Sequence, residues 1–322
     1  MKAAVYYQTG APDVFRYEEV PDPTCGPGLV LVEVKAISIE GGDTLHRAGG
    51  EMASRPHIVG YQCAGVVREV GAGVSDRAAG QRVVAIMPHG SHAALVAVPA
   101  MTTWVLPEAL DTTLGACVPI PFGTADDCLF EFGRLQAGET ALIHAGAGGV
   151  GIAAIQLAKR AGATVLATAS SEDKLARLKP LGLDHGINYR SGDFVAAVRQ
   201  YTGGHGADVI VDSVGGRTLE GSIEAAAYRG RIAYVGSAGR DAYRPNFDAL
   251  RPGNKTVTGI FLGAELMMHH PRVHGMIAGH LADIARGALR VIVDRTYPLS
   301  KAAAAHAYVE SRLAFGRVVL LP

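Results

Sequence analysis

The sequence predicts an α/β protein in two parts, a strand-rich, barrel-like unit and a doubly wound parallel sheet, and three observations carry that expectation. At 322 residues the chain exceeds the size at which one hydrophobic core keeps growing. From about Thr112, short apolar runs alternate with helical patterns, as a parallel sheet with crossover helices requires. Near the end come further strand and helix signals that an all-parallel domain does not need. The tail is therefore expected to return and complete the first unit, which gives boundaries at 1–121, 122–260 and 261–322.

Each element rests on its own pattern. Ala3 to Tyr7, Leu29 to Ile37, Gly65 to Val70 and Gln81 to Ile86 are short β-branched runs flanked by Gly, Pro or Asp, and read as strands. In the second part, strands are expected at Thr140 to His144, Thr164 to Thr168, Asp208 to Asp212 and Arg231 to Val235. Helices are expected between them at Val150 to Ala161, Glu172 to Leu181 and Thr218 to Ala226. The tail reads as a helix around Val273 to Gly287, a strand at Val291 to Tyr297, a helix through Lys301 to Arg312 and a last strand, Arg317 to Leu321.

Composition removes several function classes. Lys plus Arg equal Asp plus Glu at 30 each, so no net field gathers nucleic acid or an anionic membrane. No stretch of about 18 apolar residues runs without charge, and the first residues lack a signal-peptide core, so the cytoplasm is the expected address. Cys25, Cys63, Cys117 and Cys128 show no CxxC spacing and read as buried small hydrophobes.

The strongest local motif is Ala141-Leu142-Ile143-His144-Ala145-Gly146-Ala147-Gly148-Gly149-Val150-Gly151, where an apolar strand runs into a GxGxxG turn and a helix opens at once. Gly146 permits the turn, Gly148 lets the backbone approach a pyrophosphate, and Gly151 lets the helix pack closely on the strand. The helix start then offers free amides and its positive dipole end to phosphates, so a dinucleotide is the expected ligand of Ala145 to Gly151. An NAD-preferring site places Asp or Glu about 20 residues beyond the glycines. This chain has Ala169, Ser170 and Ser171 there, with Lys174 and Arg177 following, a set suited to the charge of a 2′-phosphate, and NADPH is the expected cofactor. Ser170 also reads as an N-cap ahead of Glu172 and Asp173, and either carboxylate could reach a ribose if the loop bends differently.

Two further strand ends, Asp212-Ser213-Val214-Gly215-Gly216 and Val235-Gly236-Ser237-Ala238, belong to the same crevice by topology, with a purely structural turn as the competing reading. Val214, Gly236, Ser237 and Phe261 are accordingly counted among the cofactor-binding residues. His269, His270 and His274 look like a ligand cluster, but no third ligand is correctly spaced, and an exposed helix start with Pro271 in its first turn is preferred. His144 reads as a packed strand residue and not as a general base.

With these pieces placed, the whole chain resembles the medium-chain dehydrogenase/reductase superfamily, and within it the quinone oxidoreductase, or ζ-crystallin-like, branch. The resemblance runs from Met1-Lys2-Ala3-Ala4 through Val20-Pro21-Asp22-Pro23, Gly26-Pro27-Gly28, Gly65-Val66-Val67, Gly80-Gln81-Arg82-Val83 and Gly123-Thr124-Ala125 to the Ala145 to Gly151 loop, Ile187-Asn188-Tyr189 and Asp212 to Gly216. It implies a GroES-like catalytic domain, a Rossmann nucleotide domain, a cleft between them and a homodimer. The branch's phosphate-binding AxxGxxG falls on Ala145, Gly148 and Gly151, its 2′-phosphate contacts fall near Ser170, Lys174 and Tyr189, and Thr124 matches a threonine facing the nicotinamide.

Zinc-dependent relatives carry a Cys ligand near Ser38 and Gly-His-Glu where this chain has Gly60-Tyr61-Gln62, so the resemblance implies no metal. Without a Lewis acid, alcohol oxidation is not expected. Many members of the branch have an asparagine where this chain has Glu40. A carboxylate donates no hydrogen bond unless protonated, so Glu40 is either shifted by burial or holds the ribose or a water. Tyr61 is a proton-donor candidate in the same pocket, with a core tyrosine as the competing reading. Glu40, Tyr61 and Thr124 are the catalytic candidates. The expected reaction is hydride transfer from NADPH to a quinone; the alternatives are reduction of an activated C=C bond, as in 2-alkenals, haloacrylates or enoyl thioesters, and a non-catalytic NADPH-binding protein.

Overall fold

The computed structural model describes residues 1–322 and divides the chain into two compact units, Met1–Ile120 with Glu265–Pro322, and Pro121–Ala264. Elements follow in chain order. The first unit opens with β1 (Lys2–Val5), β2 (Arg16–Glu19), β3 (Leu29–Ser38), α1 (Gly41–Gly49), β4 (Gln62–Val70), β5 (Arg82–Ile86), β6 (Leu95–Pro99), β7 (Thr103–Val105) and the short α2 (Thr112–Gly115). Then come α3 (Pro119–Asp126), β8 (Thr140–Ile143), α4 (Gly149–Arg160), β9 (Thr164–Ala169), α5 (Glu172–Leu178), β10 (His185–Asn188), α6 (Phe194–Tyr201), β11 (Ala207–Asp212), α7 (Arg217–Ala225), β12 (Ala226–Tyr234) and β13 (Thr256–Gly259). The chain closes with α8 (Leu262–Met268), α9 (His270–Ala285), β14 (Val293–Pro298), α10 (Ala302–Glu310) and β15 (Arg317–Leu321).

In the first unit, seven strands make one sheet in the order β14-β15-β3-β4-β5-β7, with β6 also paired to β3. The strand β3 is the hub because its run LVLVEVKAIS alternates inward and outward side chains, and it accepts β4, β6 and the returning β15 as antiparallel partners. Gly65 on β4 faces Glu33 so closely that a Cβ would fall on the Glu33 carbonyl oxygen. Val30, Val32, Val34, Ile37, Val67 and Val98 fill the core together with Val318 and Leu320 of β15, so the last strand belongs to the same hydrophobic cluster as the early ones.

In the second unit six strands lie in the order β10-β9-β8-β11-β12-β13, every pair parallel. The chain first winds outward from β8 through β9 to β10, then restarts at β11 on the other side of β8 and winds through β12 to β13. The order therefore reverses between β8 and β11, and in open parallel sheets ligands bind outside the carboxyl ends of strands at such a reversal. The strands β8, β9 and β11 read TALI, TVLATA and ADVIVD, near-continuous apolar runs, as strands covered on both faces must be.

Several local expectations are corrected. The cap of α5 is Ser171, whose hydroxyl accepts from the Lys174 amide at 3.3 Å, one residue after the expected Ser170, because β9 runs to Ala169 and Ser170 forms the bend that follows it. The strand β12 begins at Ala226, where the helix was expected to end, since Ala226 already pairs with Ala207 before the register shifts. Three cysteines are buried as expected, but Cys25 is only half-buried, in the loop before β3. His269 caps α9 with Pro271 in its first turn, yet His270 and His274 are half-buried and engaged: their Nε2 atoms lie 2.7 and 3.2 Å from the carbonyls of Met101 and Thr103, and His274 stacks on Trp104.

Candidate functional site: a glycine-rich strand end and a buried ionic cluster

The second unit gathers most of its candidate residues at the ends of the neighbouring strands β8 to β12. Beyond β8 the chain turns at Ala145, which has φ of 50°, a left-handed conformation that side chains other than glycine rarely adopt. The amide of Gly146 then donates to the Thr168 carbonyl at 2.8 Å, pinning the loop to β9. Gly148 is the N-cap of α4 and no side chain caps that helix, which leaves its first-turn amides in want of acceptors. A Cβ at Gly151 would fall on the Ala145 carbonyl oxygen, whereas one at Gly148 would meet nothing closer than 3.3 Å. The loop therefore packs tightly on its helix side and stays open where the amides of Gly149 and Val150 emerge. Such an uncapped, dipole-positive helix start fits a diphosphate.

At the end of β9 stand Ala169 and Ser170, with no carboxylate between strand and helix. Tyr189 follows β10, and its amide donates to the Ala169 carbonyl at 3.2 Å, so Tyr189 and Ser170 come together. Glu172, one of the two carboxylates able to compete for a ribose, accepts from the Asn188 side chain at 3.1 Å. At the end of β11 the Asp212 carboxyl takes the amides of Val214 and Gly215, both at 2.9 Å. The Gly236–Ser237 turn after β12 is tied to its own strand by the 2.6 Å contact between the hydroxyls of Tyr234 and Ser237. Thr124 is buried within α3, while Phe261, beyond β13, is exposed.

In the first unit, Glu40 and Tyr61 fall in one buried cluster that sequence reasoning saw only in part. Glu40 starts α1 in a capping box with Asp43. Its Oε1 accepts from the Gln62 amide and from the guanidinium of Arg317, which also donates to the Ser38 hydroxyl at 2.7 Å and to the Ile39 carbonyl at 2.5 Å. Gln62 Oε1 in turn accepts the Ile120 amide at 3.0 Å. Burial raises the Glu40 carboxyl to about 7, although Arg317 pulls it down. Burial, with the Glu40 charge beside it, also raises Asp43, whose Oδ1 has no hydrogen-bond partner. Tyr61 is raised well above its ordinary value by burial and by Asp43 and Glu40, so its hydroxyl keeps its proton.

Arg317 is the member that sequence analysis missed. No local signal marks it, because its partners lie 277 to 279 residues earlier in the chain. It also bears on metal binding at Ser38: its guanidinium donates to the Ser38 hydroxyl, the Ile39 carbonyl and the Glu40 carboxylate, so a cation already stands there, with the Asp43 carboxyl and the Cys117 thiol close by. No three His, Cys, Asp or Glu side chains come together there so as to hold a metal ion, whereas zinc sites use at least three such protein ligands.

Comparison with known proteins finds two family models, the second of which runs past Ala264 into the returning tail. The family model described as alcohol dehydrogenase GroES-like domain matches residues 26–108, and the one described as zinc-binding dehydrogenase matches residues 149–279. A 2-haloacrylate reductase from a Burkholderia species is 36% identical over 99% of this chain and 98% of its own length. The quinone oxidoreductase of Sus scrofa is 31% identical over 100% of this chain and 98% of its own. Among solved structures, the Escherichia coli quinone oxidoreductase complexed with NADPH superposes with a TM-score of 0.95 at 30% identity, covering 100% of both chains.

Proposed function

The chain belongs to the medium-chain dehydrogenase/reductase superfamily, in its quinone oxidoreductase-like branch, and from that premise we propose that it is a cytoplasmic, homodimeric, NADPH-dependent reductase of quinone-type acceptors that works without zinc. The observation that carries the proposal is the set of strand ends around β8. The amides of Ala147 to Val150 would hold the diphosphate, and Ser170, Ser171, Lys174 and Tyr189 the 2′-phosphate, while Thr124, Val214, Gly236, Ser237 and Phe261 would frame the nicotinamide part. Bound there, NADPH supplies a hydride, which together with one proton from solvent reduces the acceptor by two electrons.

Around it, this chain's residues bind and orient. An acid at the end of β9 would repel a 2′-phosphate; the small Ala169 and Ser170 admit it. Independence from zinc is supported by the Arg317 guanidinium, a cation already bound to the Ser38 hydroxyl and the Glu40 carboxylate. Within the proposal Glu40 acts through Arg317 and Gln62 on the shape of the Ser38 to Asp43 turn. Tyr61, whose hydroxyl a Cβ at Gly42 would strike, packs that turn from the side.

A second reading, reduction of activated C=C bonds, is favoured by the 36% identity to a 2-haloacrylate reductase over 99% of the chain. The experiment is NADPH oxidation with a panel of quinones, 2-alkenals and haloacrylates. Quinone turnover is the expected result, turnover of only the unsaturated acids or aldehydes selects the second reading, and tight NADPH binding with no turnover overturns both. Sedimentation of the purified protein checks the dimer.

A further inference from the structure

Beneath the cofactor loop runs a chain of buried polar groups that the proposed reaction does not use. His144 follows β8 and is 2% exposed; its Nδ1 lies 3.1 Å from the Thr168 hydroxyl and its Nε2 3.0 Å from the Ser222 hydroxyl. The Ser222 hydroxyl donates to Asp212 Oδ2 at 2.8 Å, and the Ala145 amide donates to the Thr168 hydroxyl oxygen at 3.3 Å. Asp212 and Ser222 are 0% exposed and Thr168 2%. The ring edge of Phe194 closes the remaining side of His144.

The directions of these bonds follow from counting protons. Ser222 has one hydroxyl proton and gives it to Asp212, so its oxygen accepts from His144 Nε2–H. Burial holds the imidazole below its ordinary pKa, against the pull of Asp212, so the ring is neutral and its Nδ1 is an acceptor. Thr168 must then donate to Nδ1 and accept from the Ala145 amide. One continuous, one-way chain results, from the Ala145 amide through Thr168, His144 and Ser222 to Asp212, whose other oxygen holds the Val214 and Gly215 amides.

We propose that His144 is a positioning residue that fixes two cofactor-facing strand ends at once, the left-handed turn at Ala145 through Thr168 and the Val214–Gly215 turn through Ser222 and Asp212. The inference rests on the reading of this unit as an NADPH site. A left-handed alanine persists only where its surroundings over-determine it. Without the chain, the free protein would spend part of its time with Ala145 relaxed, and cofactor affinity would fall by the fraction of molecules still competent.

Because Asn presents its acceptor where a histidine has Nδ1, and Gln its donor where a histidine has Nε2, the two halves separate. His144→Asn keeps the Thr168 bond, and His144→Gln keeps the Ser222 bond. Calorimetry with NADPH and hydrogen exchange at the Ala145 amide are measured on both, on Thr168→Val, on its conservative control Thr168→Ser, and on the double variant Thr168→Val/His144→Gln. The expected result is a five- to tenfold weaker Kd, about the worth of one neutral hydrogen bond, with faster Ala145 exchange, in His144→Gln and Thr168→Val. Thr168→Ser stays within about twofold, His144→Asn weakens Kd with Ala145 exchange unchanged because it frees only the Val214–Gly215 turn, and the double variant is no weaker than either single one. Unchanged Kd and exchange in Thr168→Val, whose shape is preserved, overturn the inference while leaving the cofactor reading intact. Absence of NADPH binding by the unaltered protein overturns that reading instead.

Discussion

His57 lies fully buried, its backbone bridged to Tyr6, with the rings of His46, Tyr6 and His89 5.0 to 5.2 Å from its own and no hydrogen-bond partner on either ring nitrogen. Burial, with His46 and His89 beside it, lowers it to about 4 from an ordinary 6.5. Between those values the folded chain binds fewer protons than the unfolded one. This contribution to stability is therefore whole above 6.5 and lost as the pH falls through 4. Replacing an unsatisfied buried imidazole by a hydrocarbon removes a penalty, so His57→Leu is expected to gain about 1–2 kcal/mol at pH 7. Thermal melts from pH 7 to 4 should show a shallower acid limb for it. The Glu40–Arg317 pair behaves oppositely, since removing one partner strands a buried charge. Glu40→Gln should cost about 3–5 kcal/mol, and Glu40→Gln/Arg317→Leu appreciably less, by denaturant titration. Glu40 drew notice in the sequence as an unusual acid in its segment, but nothing there named its cation. Pairing across most of the chain leaves no spacing to read.

Among elements, the glycine-rich turn between β8 and α4 is the most exacting. Gly151→Ala would drive its methyl group onto the Ala145 carbonyl, and it is expected to abolish detectable NADPH binding in calorimetry while the far-ultraviolet dichroism stays helical and stranded. Gly65→Ala acts on the other sheet: the added methyl group meets the Glu33 carbonyl, so β4 must part from β3, and a drop of several degrees in the melting temperature is expected. The turn was legible because strand, glycines and helix are contiguous, and each states its role in a few residues. The short β10 and α6 were not assigned, since His185-Gly186-Ile187-Asn188 offers one buried apolar residue and no alternation. The network through His144 was equally hidden. Its members sit on three strand ends and a helix, and each alone reads as a packed or capping residue.

For the whole molecule, the expected return of the tail showed in the sequence as surplus strands and helices, and the observed pairing gives its physical reason. Val319 and Leu320 of β15 lie opposite Ser38 and Ile37 of β3, and β14 pairs only through β15. The first unit is thus complete only with both its pieces, whereas the parallel sheet of Pro121–Ala264 contains all its own strands. A fragment of residues 121–264 is expected to fold and to bind NADPH, and a fragment ending at 120 to stay largely unfolded; circular dichroism and calorimetry on each check this. During synthesis the order of completion then inverts the order of translation. The middle of the polypeptide can reach its native state while the ribosome is still reading the codons for β15, and the segment before it must wait, with β3 lacking one neighbour, until Arg317 to Leu321 emerge. A truncating lesion ahead of Arg317 would spare the middle and leave the beginning stranded.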